Sequence, residues 1–67
     1  MKQSLFIKGA EQIRIEDGKY YIGEEYGLVE TDLEGVKEEM RKLKWCENSW
    51  SQELKDEYTN LRKRLNL

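Results

Sequence analysis

The chain has no histidine, no proline and a single cysteine, Cys46. Each scarcity excludes something. Histidine is the usual general base and the commonest metal ligand near neutral pH. Without it, Cys46 has no imidazole to activate it, and a lone cysteine ordinarily behaves as a small hydrophobe. A structural zinc site needs four Cys or His ligands, and this chain offers one. One cysteine forms no internal disulfide, which points to a reducing, cytoplasmic setting.

Long apolar runs are missing too. No stretch approaches the ~20 apolar residues of a membrane span. The first eight residues, Met1 to Lys8, hold too short an apolar run for a secretory signal. The five glycines are scattered and build no phosphate-binding loop. The adjacent carboxylates Glu24-Glu25 and Glu38-Glu39 diverge in any regular element, so neither forms a converging acid–base pair. No loop gathers the carboxylates that calcium requires. The expectation is a non-enzymatic protein with no catalytic residue, no cofactor, no metal and no membrane association.

What is present is charge and aromatic surface. Residues 1–34 carry four basic and eight acidic side chains, whereas residues 35–67 carry eight and six. The front half is acidic and the back half mildly basic. That is not the strongly basic footprint of a nucleic-acid binder. Seven aromatics and a clear apolar periodicity argue against disorder. With 67 residues there is room for one domain, with a small core.

The clearest local signal is Gln12 to Ile22. Asp17-Gly18 between alternating apolar residues is a strong hairpin cue, because a type I′ turn needs positive φ at both central positions. A two-residue loop there sets Glu16 opposite Lys19, Ile15 opposite Tyr20, Arg14 opposite Tyr21 and Ile13 opposite Ile22. Ile13, Ile15, Tyr20 and Ile22 then share one apolar face. Arg14 and Tyr21 share the other, within reach of a cation–π contact. Ser4 to Lys8 reads as a strand with Leu5 and Ile7 inward and Phe6 outward, turning at Gly9-Ala10. Tyr26 to Glu30 is a weaker, further strand, with Tyr26 and Leu28 inward.

The period then changes. Thr31 and Glu34 have capping-box spacing. Leu33, Val36, Met40 and Leu43 follow at helical intervals, with a Glu38–Lys42 pair alongside. This predicts a helix over 32–46. Ser49 and Gln52 repeat the capping spacing, and Trp50, Leu54, Tyr58, Leu61 and Leu65 form a second helical stripe over 50–66. No Gly or Pro marks the break near Asn48, so one long helix over 32–66 is the alternative. The expected architecture is a single α+β domain, 1–67. A small antiparallel sheet, three strands in the main reading (β-rich 3–30), precedes two amphipathic helices (32–66) packed on one face.

Two surfaces are candidate binding sites. The outer sheet face carries Phe6, Arg14, Tyr21 and Val29. With Trp45 and Trp50 at the interhelical turn, these are the residues expected to meet a protein partner, since Trp, Tyr and Arg dominate interface hot spots. The second surface is a basic stripe: Lys37, Arg41 and Lys44 on one face of the first helix, Lys55 and Arg62 on the second. In an antiparallel helix pair these merge into an anion or nucleic-acid patch. The leading functional expectation is a small cytoplasmic regulator or inhibitor that binds another protein, of the kind phages and mobile elements make. A small nucleic-acid-associated protein and a self-assembling structural subunit are the alternatives. The modest core and spare apolar surface also lead one to expect a homodimer, formed through the outer sheet face or the helix hairpin.

Overall fold

The computed structural model describes residues 2–67. Met1, part of the segment judged too short for a signal, lies outside them. Four strands are followed by two helices: β1 Lys2–Ile7, β2 Ala10–Glu16, β3 Lys19–Glu24, β4 Gly27–Thr31, α1 Leu33–Lys44 and α2 Gln52–Arg64. The strands form one antiparallel meander in the order β1-β2-β3-β4. Both helices pack on the same face, α1 mainly over β3 and α2 over β1. The fold is therefore α+β, with the sheet first and the helices laid across it. No helix among the described residues is long and apolar enough to cross a membrane.

The central hairpin has the register its sequence dictates. Ile13 pairs with Ile22, Arg14 with Tyr21, Ile15 with Tyr20 and Glu16 with Lys19. Asp17 and Gly18 both adopt positive φ, 52° and 78°, as a type I′ loop demands.

The β1–β2 pairing contains an irregularity. Leu5 pairs with Ile13 but Phe6 pairs with Glu11, so Gln12 is an extra residue on β2. This bulge shifts Glu11 onto the outer face beside Arg14 and Ser4. It also explains Gly23 on β3. A Cβ there would stand 2.5 Å from the Glu11 carbonyl oxygen and 3.1 Å from the Gln12 Cα. Only glycine admits that approach of the two backbones.

The fourth strand corrects the three-strand reading. It begins at Gly27, not Tyr26. Glu25 and Tyr26 form the loop, and Tyr26 is 95% exposed rather than inward. Val29 pairs with Ile22 and therefore lies on the helix-facing side, while Leu28, opposite Gly23, lies on the outer side. The alternation in this strand is thus the reverse of that expected. Its short run holds too few apolar residues to set a phase, and the loop position of Tyr26 moves the register by one.

The helix caps also differ from the expected spacings. Thr31 ends β4 opposite Tyr20, and Asp32 is the N-cap, its Oδ1 accepting from the Gly35 amide at 2.9 Å. Ser49 is drawn into a 3-10 turn over Glu47–Ser49, where its hydroxyl donates to the Cys46 carbonyl. Ser51 caps α2 instead, accepting from the Leu54 amide. Glu38 pairs with Arg41 rather than Lys42. The 3-10 turn and the extended backbone of Trp50 separate the helices, so there is no continuous helix over 32–66. At the far end Asn66 takes a left-handed conformation, and the Asn66 and Leu67 amides donate to the Lys63 and Arg62 carbonyls. This Schellman closure turns the chain back along α2.

The core consists of Leu5, Ile13 and Ile15 from the sheet, Val36 and Met40 from α1, Trp50 from the connection between the helices, and Tyr58 and Leu61 from α2. No polar or charged residue is buried among the described residues. Burial of side chains of this size stabilises by roughly 1.5–3 kcal/mol each.

Candidate functional site: the interhelical tip and groove

The two tryptophans near the turn have opposite fates. Trp50 is 8% exposed. Its ring meets Tyr58 at a centroid distance of 5.1 Å and a 48° tilt, a packing geometry aromatic pairs favour. The expectation that Trp50 contacts a partner is therefore corrected: it closes the core. Its extended backbone, between the 3-10 turn and the Ser51 cap, swings the ring inward.

Trp45 is 87% exposed. It is the C-cap of α1, and its amide donates back to the Lys42 carbonyl. Trp45 lies five residues beyond the buried Met40, past the last inward turn of α1. A concavity of about 410 Å³ beside it is lined by Arg41, Lys44, Trp45, Glu47 and Asn48.

A second groove, also about 410 Å³, runs between the helices. Lys37, Arg41 and Lys44 line it from α1, and Arg62 lines it from α2. Met40, Tyr58 and Leu67 supply apolar surface. Four of the five residues of the expected basic stripe thus meet in one place. Lys55 is exposed on α2 and lines neither groove. Two of the four cations are engaged. Glu34 accepts from Lys37 at 3.3 Å, and Glu38 pairs with Arg41. Lys44 and Arg62 hold no ion pair among the described residues. Tyr58 is held by its hydroxyl, which donates to the Met40 carbonyl at 2.8 Å. Burial raises its pKa above the usual phenol range.

The outer sheet face is more polar than its sequence suggested. Arg14 does not turn to Tyr21. Its Nε and Nη2 donate to the Glu11 carboxylate at 2.9 and 2.7 Å, and the Ser4 hydroxyl donates to the same carboxylate at 2.6 Å. The hydrogen bond from Arg14 holds the Glu11 carboxyl below its ordinary pKa, and the same bond raises that of Arg14. This network occupies the middle of the face. Phe6, 52% exposed, lies to one side of it and the half-buried Tyr21 to the other. Val29, read as an outer-face residue, belongs to the opposite side of the sheet.

Sequence reasoning did not find Glu11 as the partner of Arg14. Three residues apart on a regular strand, the two would face opposite ways. Only the bulge at Gln12 brings them together, and Gly23 opposite was its one available sign.

Neither a known protein family, a curated protein nor a solved structure matches this chain.

Proposed function

We propose that this chain is a small non-enzymatic regulator that acts by binding a protein partner at the interhelical tip. The observation that carries the reading is the 87% exposure of Trp45. An indole left in solvent contributes little to folding, yet tryptophan is the residue most enriched at binding hot spots. It sits over a concavity with Arg41, a second hot-spot residue type, at its rim. Its backbone is fixed by the α1 cap, so the chain itself needs little ordering on binding. The exposed, unpaired Cys46 next to it suits a reducing cytoplasm. An inhibitor of the phage or mobile-element kind fits this description by analogy.

The test is affinity capture from the native host with the wild-type chain, Trp45→Ala and Phe6→Ala. The reading expects a protein retained by the wild type and by Phe6→Ala and lost by Trp45→Ala. A partner retained equally by all three would reject the tip.

A second reading is a homodimer through the outer sheet face. It is favoured by the apolar surface left there: Phe6 is 52% exposed beside the half-buried Tyr21, and a two-fold axis lets each copy cover the other's patch. Sedimentation equilibrium decides it: a concentration-dependent mass above 8.1 kDa is expected, and one 8.1 kDa species throughout would refute it.

A further inference from the structure

We infer that the groove between the helices takes an acidic peptide segment of the partner, an apolar side chain flanked by carboxylates. The inference rests on the protein-binding reading above and adds the chemistry of what is bound. Arg41 and Lys44 line both the interhelical groove and the concavity beside Trp45. The two hollows therefore adjoin, with Arg41 and Lys44 between the side that holds the exposed indole and the side that holds Leu67.

Its chemistry is specific. Lys37 and Arg41 already have carboxylates one turn earlier on their own helix. Lys44 on α1 and Arg62 on α2 do not. Two uncommitted cations thus border a floor whose exposed apolar part is mainly Leu67, with Met40 and Tyr58 almost wholly buried beneath it. A carboxylate-bearing segment satisfies both cations, and an apolar side chain between its carboxylates covers the floor. Arg62 can hold a carboxylate with two parallel hydrogen bonds, and Lys44 adds a point charge.

A nucleic acid fits this surface less well. A strand of bases needs a row of stacking rings. Trp45 is the one exposed ring there, since Tyr58 is buried and packed on Trp50.

The experiment has two arms. In the first, a fluorescent peptide with a leucine flanked by glutamates is titrated against the folded chain. Its amide counterpart, with glutamines, and a single-stranded oligonucleotide serve as comparisons. Saturable binding of the glutamate peptide alone is expected, weakened about tenfold or more by Lys44→Glu and by Arg62→Glu. Lys63→Glu makes the same charge change outside the groove and should leave affinity nearly unchanged. Circular dichroism establishes that each variant is folded. Equal or tighter binding of the glutamine peptide or of the oligonucleotide would overturn the inference, as would equal losses in all three charge variants.

In the second arm a random peptide library is selected on the wild-type chain and counter-selected on Trp45→Ala. Enrichment of acidic-apolar sequences supports the inference. Enrichment of neutral or basic sequences that need Trp45 overturns the acidic chemistry while leaving the tip reading intact. A library that yields no Trp45-dependent binder overturns both.

Discussion

The Tyr58 hydroxyl donates to the Met40 carbonyl at 2.8 Å, a buried hydrogen bond that spans α2 and α1 and fixes the two walls of the groove against each other. Residue 58 sits in mid-helix, and its ring also carries Trp50. One side chain thus joins the core and the groove.

Tyr58→Phe keeps the ring and removes the bond. The expected loss is about 1 kcal/mol, the net value of a typical buried hydrogen bond. A second signature is available in alkali. Burial raises the Tyr58 pKa in the folded state, so the unfolded chain releases its proton first as pH climbs through about 10. Stability should fall over that range in the wild type, and less steeply in Tyr58→Phe. Parallel denaturant titrations of the two proteins across that range provide the check. Identical pH profiles would show that Tyr58 is not held as described.

The two tryptophans should separate cleanly. Trp50→Ala opens the core and should cost about 3–5 kcal/mol, enough to unfold so small a domain. Trp45→Ala should lie within about 0.5 kcal/mol of wild type, as exposed substitutions usually do. Thermal melts of both variants measure this. A destabilised Trp45→Ala would mean that the indole is a packing residue and not a free tip.

Gly23→Ala tests the bulge. The added methyl would strike the Glu11 carbonyl and the Gln12 backbone, neither of which is a flexible side-chain end. Overpacking of this kind costs about 1–3 kcal/mol. The variant should also disturb the Glu11–Arg14 pair, because Glu11 reaches the outer face only through the bulge. Unfolding curves of wild type equal to those of Gly23→Ala would contradict the assigned register.

Two carboxylates, Glu11 and Glu39, act on acid stability in opposite directions. Glu11 is lowered, first by its hydrogen bond from Arg14, so its contribution is present above about pH 4.3 and lost as pH falls through its folded value. Glu39 is raised, first by burial. Its ionised form is disfavoured in the folded state, so stability drops as pH rises through its folded value. Glu11→Gln should therefore destabilise at pH 7 and flatten the acid limb of the stability curve. Glu39→Gln should stabilise at pH 7, with the gain vanishing at low pH. Denaturant midpoints from pH 3 to 7 give both signs at once.

Much of the fold was legible before the structure, and the reason differs from element to element. The Asp17-Gly18 hairpin was specified redundantly by turn chemistry, alternation and cross-strand charge, so its register followed. The stripes through Val36 and Met40 and through Tyr58 and Leu61 are long enough to fix a helical phase. The fourth strand is too short for that, and Tyr26 looks like a core aromatic until the loop claims it. The caps were ambiguous because Thr31 and Asp32, and Ser49 and Ser51, are all competent N-caps. Only the strand partner of Thr31 and the 3-10 turn around Ser49 decide between them. Of the candidate site, the convergence of Lys37, Arg41, Lys44 and Arg62 was visible as spacing. Which tryptophan faces solvent was not, because both flank the same turn and the choice rests on a backbone bend with no Gly or Pro to announce it.

The central claim, that Trp45 and the adjoining groove form the contact surface, is tested most directly by an amide nitrogen–proton NMR titration with the glutamate-flanked leucine peptide. The chain supplies two indole signals, one buried and one in solvent. The account predicts that the Trp45 indole and the Lys44 and Arg62 backbone amides move together and saturate, while Phe6 and Tyr21 stay still. Shifts confined to Phe6, Arg14 and Tyr21, or no saturable shift at Trp45, would contradict it.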